Sequence, residues 1–377
     1  DAYKIKEVKG VKVGVLGLTI PHFPMWDGAK VESLEFRSLR EEAKKQVRIL
    51  KDVEQVDVIV AAIHAGLKNS DPEAAAENVI KEVPEIDAFV IGHDHKEVAQ
   101  KMADYTGKEK PVGAAKDTGT GVVKIELELN KPDTKWEVTG SSVEVLQTAN
   151  KVADPAVKEL TQDAHETVVE FIQDPIGTAK ADFLPEAEIP GIPEAQLQPT
   201  AMISLINNVQ MKVTGADIAA GALFKANSHL DAGPITFADV FDIYKYPNTL
   251  IGVEIKGDQL KRYMESQANY YNQYKKGDVT IGFNEKIRVY NYDMFTGVNY
   301  KIDISKPTGS RIVDLTYQGK PVADSDTFKL AINNYRYEGL VLDGILTAEP
   351  YYVSDPITLR SSIVDYIAEK GEIDPEV

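Results

Sequence analysis

The chain has 377 residues, of which 43% are hydrophobic and 27% are charged, and this ordinary composition excludes a disordered or fibrous protein. It contains no cysteine, which excludes a disulfide scaffold, a thiolate zinc site and a thiol nucleophile. The net charge of −17 argues against a surface for double-stranded nucleic acid, and no apolar run approaches the length of a membrane span.

The length predicts two or three domains, and the first 150 residues read as alternating strands and helices. Apolar runs rich in β-branched residues predict strands over residues 11–19, 56–63 and 86–91. A helix over 39–53 is expected after the N-cap Ser38, with Glu41 at the capping-box position, and a second helix over 71–82 begins with Pro72. This order predicts a parallel α/β unit, followed by an edge or antiparallel strand over 122–129.

The middle of the chain changes character, and a second α/β region follows it. Residues 151–198 are predicted to connect the two regions through a helix over 155–172 and a Pro-rich stretch over 183–199. In the second region, 199–377, the sequence predicts a helix over 200–214, a buried stretch over 216–224 and a helix from Thr236. A strand–turn–helix unit over 250–271, several strands within 287–335 and a final helix over 356–370 complete it.

Three of the six histidines fall at the C-terminal ends of predicted strands. His64 ends the second strand, and His93 and His95 follow the third in the segment Gly92-His-Asp-His95. Sites in open α/β sheets lie outside the carboxyl ends of the strands, and imidazole suits Zn, Mn, Fe or Ni. The trio therefore favours a metal site over the alternative of exposed loop histidines.

The other histidines point to structural or surface positions. His22 is expected in a surface loop and His229 in a solvated one. Asp163-Ala-His165 matches the metal-binding Asp-x-His pattern in sequence. It lies in a predicted helix, where residues two apart point to different faces, so a structural role is expected. Three histidines and Asp94 do not complete a two-metal site, which needs a bridging carboxylate.

Two aromatic segments form a second group of candidates. Tyr244-Lys-Tyr-Pro-Asn248 precedes a predicted strand, and Asn333-Asn-Tyr-Arg-Tyr337 ends another. Aromatic side chains on two loops can sandwich a planar base while an asparagine reads its edge. The alternative is that these tyrosines pack against a sheet, and spacing alone favours it. The four tyrosines of 263–274 are predicted to form a packed helix face.

Several motifs resemble a known superfamily. Three segments resemble the second half of the calcineurin-like metallophosphoesterase domain of the 5′-nucleotidase superfamily: Gly14-Val-Leu-Gly-Leu-Thr19, Ile63-His-Ala-Gly66 and Gly92-His-Asp-His95. Four others resemble its C-terminal nucleotide-binding domain: Gly215-Ala-Asp-Ile218, residues 244–250, Ile255-Lys-Gly-Asp-Gln-Leu260 and Gly297-Val-Asn-Tyr300. The likeness covers nearly the whole chain, and the motifs occur in family order.

Within that superfamily the chain looks most like the 2′,3′-cyclic-nucleotide 2′-phosphodiesterase/3′-nucleotidase branch, in the segments 221–225, 246–248, 289–293, 297–303 and 333–336. The 5′-nucleotidase branch typically has Gly-Gly-x-Arg where this chain has Ala222-Leu-Phe-Lys225. It also has Phe-Asn and a Gly-Gly-Asp-Gly loop where this chain has Tyr335-Arg-Tyr-Glu-Gly339. The cyclic branch's usual Gly-Gly is altered here to Glu338-Gly339, so the fine substrate preference stays open.

The resemblance implies a fold, with residues 1–150 as the C-terminal part of a metallophosphoesterase αββα sandwich and residues 199–377 as an α/β nucleotide-binding domain. It also implies site residues. His64, His93 and His95 would bind metal, Tyr246 and Tyr335 would stack on the two faces of the base, and Asn248 would hydrogen-bond its edge. Lys225 would lie near the phosphate or ribose.

The implied activity is hydrolysis of 2′,3′-cyclic nucleotides and 3′-nucleotides by two divalent ions such as Mn, Zn or Fe, in an extracellular, cell-wall-associated or periplasmic protein. The family's catalytic residues and its Asp-x-His and Gly-Asn-His motifs belong to a first half-domain that is expected to precede this sequence or to accompany it as a separate chain. This chain alone is therefore expected to be inactive. The alternatives are a 5′-nucleotidase and a non-catalytic nucleotide-binding fragment.

Overall fold

A six-stranded sheet organises the first of two units, Asp1–Asp154, and a five-stranded sheet organises the second, Pro155–Val377. The computed structural model describes residues 1–24, 31–69, 71–183 and 187–375, and the element labels below follow the described elements in chain order. Part of the Pro-rich stretch, residues 184–186, lies outside the described residues.

The sheet of the first unit has the strand order β1-β2-β3-β4-β6-β5. These strands are β1 Tyr3–Val8, β2 Val11–Thr19, β3 Val58–His64, β4 Ala88–Ile91, β5 Val98–Ala103 and β6 Glu109–Ala114. Strands β2, β3, β4 and β6 run parallel, whereas the two edge strands pair antiparallel. The predicted parallel α/β unit is confirmed, because each buried apolar run became an inner strand.

Two helices pack against one face of this sheet. Helix α1, Leu39–Arg48, begins where the Ser38 hydroxyl accepts the Glu41 N–H, as its capping sequence predicts, and a π-helical turn, Ile49–Val53, continues it. The predicted helix over 71–82 is divided into a 3₁₀ turn, Pro72–Ala74, and α2, Ala76–Glu82. Both helices bury apolar residues against the strands to form the core of this unit.

A long hairpin closes the first unit. Its strands β7, Gly121–Asn130, and β8, Glu137–Gln147, are antiparallel, which confirms the antiparallel expectation for residues 122–129. The hairpin lies directly on β6, because a Cβ at Gly113 would come within 2.4 Å of Val123 Cγ1. The Trp136 indole N–H also donates to the Gly10 carbonyl at 3.2 Å and fixes the far end of the hairpin.

The second unit begins with α3, Pro155–Gln173, an exposed helix close to its predicted range. Its other helices are α4 Ala201–Thr214, α5 Phe237–Ile243, α6 Gly257–Ala268, α7 Asn334–Leu342 and α8 Leu359–Lys370. The strands are β9 Pro175–Ala179, β10 Ile218–Gly221, β11 Gly233–Thr236, β12 Thr249–Lys256, β13 Met294–Thr296, β14 Asn299–Ile302, β15 Ile312–Tyr317, β16 Lys320–Pro321, β17 Thr327–Asn333, β18 Pro350–Thr358 and β19 Glu372–Ile373.

The main sheet of this unit has the order β13-β10-β17-β12-β18, and apolar clusters lie on both of its faces. The predicted final helix over 356–370 begins three residues late, at Leu359. Residues 350–358 are held in the sheet by pairing with β12, and Thr358 caps the helix by accepting the Ser361 N–H. Of the tyrosines expected to pack in 263–274, Tyr274 remains 42% exposed. Among the described residues, none of the helices is long and apolar enough to cross a membrane.

Candidate functional site

The parallel strands of the first unit bring two histidines together at one sheet edge. His64 is the last residue of β3, and His93 follows the end of the neighbouring parallel strand β4. Nε2 of His64 and Nδ1 of His93 lie 3.3 Å apart, and the two rings meet edge to face. Two imidazole nitrogens that face each other at the carboxyl end of a sheet have the donor chemistry of a metal site.

The loop that carries His93 has an uncommon backbone. His93 and His95 both adopt left-handed conformations, with φ of 80° and 53°, which cost a non-glycine residue about 1–2 kcal/mol. The loop is held against the neighbouring one, because a Cβ at Gly66 would lie 2.1 Å from Asp94 Oδ1. Backbone strain of this kind persists at sites where side-chain placement matters.

The third histidine does not join this pair. His95 Nδ1 lies 3.4 Å from Asp117 Oδ2, and the His95 side chain is 64% exposed. Across residues 1–24, 31–69, 71–183 and 187–375, no three His, Asp or Glu side chains converge on a metal position. Burial, and next the neighbouring His64, lowers the pKa of His93 and favours the neutral ring that binds metals. His64 and His93 therefore fit a metal ion as a pair of donors, and further ligands would have to be added.

The remaining histidines take the positions that their sequence contexts predict, and one of them, His22, also makes a contact that was not expected. His165 lies on the exposed helix α3, and His229 lies in an exposed loop 3.7 Å from Asp231. His22 is in a loop, but its Nε2 contacts Asp71 Oδ2 at 2.7 Å. Sequence reasoning missed this pair because the two residues are far apart in the chain and share no motif.

In the second unit, three segments meet at one end of the main sheet. The first follows β10, the second precedes β12, and the third follows β17. Strands β10 and β17 are parallel, while β12 is antiparallel to β17 with Leu250 opposite Asn333. The end of β10, the start of β12 and the end of β17 therefore share one edge, and the segments 222–225, 244–248 and 334–337 leave from it.

Tyr244 lies buried beneath these segments and links two of them. Its hydroxyl is 3.2 Å from the side-chain amide of Asn248 and 3.0 Å from that of Asn333. Burial raises the pKa of Tyr244 to about 12. The ring of Phe224, from the third segment, packs edge-on against both Tyr244 and Tyr246, with centroid distances of 5.0 Å.

The two tyrosines proposed to hold a base differ from Tyr244 in exposure. Tyr246 is 42% exposed and Tyr335 is 40% exposed, so each has ring surface accessible to a ligand. The expectation that tyrosines pack against the sheet thus describes Tyr244 but not these two. Lys245 lies over the Tyr246 ring and Arg336 near the Tyr335 ring, at 5.2 and 6.0 Å.

A buried ion pair beside Tyr335 was not predicted. Arg336 Nη2 donates to Asp293 Oδ1 at 3.1 Å, Nε contacts Oδ2, and the Tyr263 hydroxyl donates to the same carboxylate. Burial opposes the charge of the guanidinium, but the Asp293 carboxylate raises the pKa of Arg336 overall. Lys225, by contrast, is exposed, with its ammonium 3.9 Å from Asp242 Oδ1.

The chain is similar to 5′-nucleotidases and other nucleotide phosphoesterases. The sequence profile described as "5′-nucleotidase, C-terminal domain" matches residues 175–344. A Haemophilus influenzae protein named 2′,3′-cyclic-nucleotide 2′-phosphodiesterase/3′-nucleotidase is 30% identical over 96% of this chain and 62% of its own length. The trifunctional nucleotide phosphoesterase protein YfkN of Bacillus subtilis is 28% identical over 97% of this chain and 28% of its own length.

Solved structures show the same fold. A Staphylococcus aureus protein described as a candidate 5′-nucleotidase superposes with a TM-score of 0.78 at 24% identity, over 98% of this chain and 72% of that protein. A 5′-nucleotidase precursor of Thermus thermophilus gives 0.62 at 20% identity, over 99% and 72%. The chain spans less than two thirds of the length of each of the two curated relatives, from Haemophilus influenzae and Bacillus subtilis.

Proposed function

We propose a specific activity for the whole protein, because residues 175–344 are a 5′-nucleotidase C-terminal domain and the chain is homologous to nucleotide phosphoesterases. The whole protein hydrolyses 2′,3′-cyclic nucleotides and 3′-nucleotides to nucleoside and phosphate. The second unit binds the nucleotide through its base. The first unit contributes to the metal centre.

The observation that carries base binding is the meeting of three segments at one sheet edge in the second unit. There Tyr246 and Tyr335 keep two fifths of their surface accessible, and Asn248 is half-buried with its amide held by Tyr244. The base stacks on the two tyrosines, each contributing about 1–3 kcal/mol, while Asn248 hydrogen-bonds the base edge. Lys225, exposed on the segment after β10, attracts the phosphate or ribose.

In the first unit, His64 and His93 would hold metal through neutral ring nitrogens, and His95 would join them by leaving Asp117. Two divalent ions, when bound, supply charge neutralisation for the phosphate and a water of lowered pKa. This positive charge would also offset the net charge of −17, which by itself repels an anionic substrate. The left-handed turn at His93 and the packing of Asp94 on Gly66 keep the ligands oriented.

The cyclic-nucleotide branch is preferred because the relatives named for that activity reach 28–30% identity, whereas those named 5′-nucleotidase reach 22%. We place the protein outside the cytoplasm, in the cell wall or the periplasm, as the resemblance implies. The alternatives are 5′-nucleotidase activity and a chain that binds nucleotides without turning them over.

Phosphate release with added Mn²⁺ tests the activity. The full-length protein should release phosphate from 2′,3′-cyclic AMP and 3′-AMP, and hydrolysis of 5′-AMP alone would favour the 5′-nucleotidase alternative. Intact mass of the purified protein shows whether a second polypeptide accompanies the chain.

Calorimetry with adenosine tests the base site on the 377-residue chain, without metal. Tyr246→Ala and Tyr335→Ala should each weaken binding about 10-fold or more. The matched control is Tyr274→Ala, since Tyr274 is 42% exposed in the same unit and outside the three segments. Equal losses in all three variants would contradict the assignment.

A further inference from the structure

The Tyr244 hydroxyl lies between the side-chain amides of Asn248 and Asn333, which belong to two of the segments that carry the base-binding tyrosines. Tyr244 is buried, so water does not replace a missing partner there. The direction of each hydrogen bond in this group can therefore be worked out from the protons available.

The orientation of Asn333 is set by a backbone group. Its Oδ1 accepts the Arg336 N–H at 2.8 Å, as the N-cap of helix α7. A backbone N–H can only donate, so the oxygen of this amide must face Arg336 and its Nδ2 must face Tyr244. The Tyr244 oxygen consequently accepts a hydrogen bond from Asn333.

The Tyr244 proton then needs an acceptor of its own. At neutral pH the hydroxyl keeps this proton, because burial raises its pKa to about 12. Within the described part of the chain, the other polar side chain against the hydroxyl is the amide of Asn248, at 3.2 Å. The structure places Nδ2 of Asn248 toward the hydroxyl, so both amides donate to the Tyr244 oxygen and the buried Tyr244 proton has no acceptor among the described side chains, which is costly. A 180° turn of the Asn248 amide keeps the heavy-atom positions and offers Oδ1 as the acceptor.

We propose that Tyr244 is a positioning residue that orients Asn248, so that Asn248 presents its Nδ2 protons to the base and selects a hydrogen-bond acceptor on the base edge. Once the Asn248 amide is turned, the hydrogen bonds run in one direction, from the Arg336 N–H to Asn333 and from Asn333 to Tyr244. The Tyr244 hydroxyl then donates to Asn248 Oδ1 across the 3.2 Å contact. This inference rests on the proposed base site. It adds that the site reads a ring nitrogen or carbonyl oxygen of the base, and not its exocyclic amine.

The test measures binding of adenosine analogues to the 377-residue chain by calorimetry. The analogues are 1-deaza-, 3-deaza- and 7-deazaadenosine, each lacking one ring-nitrogen acceptor, and purine riboside, which lacks the exocyclic amine. One deaza analogue should bind about 10-fold more weakly than adenosine, and purine riboside should bind about as well as adenosine. In Tyr244→Phe the amide is free to turn, so the discrimination against that deaza analogue should fall to about twofold or less.

Tyr271→Phe is the matched control. It removes another buried hydroxyl of the same unit, which donates to the Gln196 carbonyl at 2.7 Å, and it should keep the full discrimination at a comparable thermal stability. Asn248→Asp is the second variant, should Tyr244→Phe fail to fold. It still accepts from Tyr244 but presents a carboxylate oxygen in place of N–H groups, so adenosine affinity should fall at least 10-fold.

Three results would overturn the inference. Discrimination that survives unchanged in Tyr244→Phe would show that Tyr244 does not orient Asn248. A large loss with purine riboside, but with none of the deaza analogues, would show that Asn248 accepts from the amine. Absence of adenosine binding to the wild-type chain would instead refute the proposed base site, and the inference with it.

Discussion

The buried pair of Asp293 and Arg336 offers a sharp test of the energetics of the second unit. Asp293 is 3% exposed, the Arg336 side chain is 15% exposed, and the carboxylate also accepts the Tyr263 hydroxyl. The substitution Asp293→Asn keeps the size of the side chain and removes its charge. It leaves the Arg336 guanidinium buried without a counter-charge.

The expected cost follows from this burial. Removing one partner of a buried ion pair destabilises a protein by about 3–5 kcal/mol, because the remaining charge is neither solvated nor paired. Asparagine can still accept one hydrogen bond from Arg336, so we expect Asp293→Asn to lie at the low end, about 3 kcal/mol. Arg336→Met leaves the carboxylate with the Tyr263 hydroxyl and should cost at least as much.

Urea unfolding can be followed separately for the two units. Trp136 lies in the first unit, and the sequence of the second unit, residues 155–377, contains no tryptophan, so tryptophan fluorescence carries no signal from the second unit. Of the 17 tyrosines, all but Tyr3 and Tyr105 lie in the second unit, so near-ultraviolet circular dichroism is dominated by it. Asp293→Asn should shift the tyrosine transition to lower urea concentration and leave the tryptophan transition in place, which serves as the internal control.

The double variant Asp293→Leu/Arg336→Met decides whether the buried charge is the cause. Replacing both partners by apolar side chains of similar volume removes the uncompensated charge but leaves the buried Tyr263 hydroxyl without its acceptor, so the double variant should lose about 1–3 kcal/mol, well below the sum of the single variants. The reasoning is refuted if the double variant loses as much as the sum of the single ones, since the loss would then come from packing.

Three further outcomes are expected. Zn²⁺ or Mn²⁺ should raise the melting temperature of the first unit. His64→Ala should abolish this shift, whereas the control His165→Ala, on the surface of helix α3, should keep it. Equal shifts in both variants would exclude His64 as a ligand. His95→Gly should raise the free energy of unfolding by about 1 kcal/mol because His95 has a φ of 53°, whereas His165→Gly in mid-helix should lower it by about 0.5 kcal/mol, and a loss in both would argue against backbone strain. The pKa of Tyr244 rises from 10.0 in the unfolded chain to about 12 on folding, so its contribution to stability is complete below pH 10 and is lost as the pH rises through 12. Urea unfolding between pH 9 and 12, with tyrosinate absorbance, should therefore show a weaker pH dependence of the unfolding free energy in Tyr244→Phe than in wild type. An unchanged pH dependence would contradict this.

Local patterns were enough to predict the elements that carry the site. The apolar runs became the strands β2, β3 and β4, and their parallel order followed from the helices between them. That order places His64 and His93 at one edge, where the structure finds their ring nitrogens 3.3 Å apart. Periodicity and capping act over a few residues, so a sequence expresses them directly.

The assignments that needed long-range contacts could not be made in the same way. His95 lies two residues from His93, but its side chain contacts Asp117, and no local sequence pattern predicts that contact. Asp293 and Arg336 are 43 positions apart and form their ion pair because β10 brings β13 and β17 into one sheet.

The sequence by itself determined the order of strands and helices, the edge at which the histidines emerge, and the segments that carry the aromatic residues. Only the tertiary structure decided that Tyr244 is buried while Tyr246 and Tyr335 remain accessible, and that Tyr244 lies between Asn248 and Asn333. The physical reason is that burial and hydrogen-bond direction depend on neighbours from distant parts of the chain, whereas strand and helix formation depends mostly on neighbours in sequence.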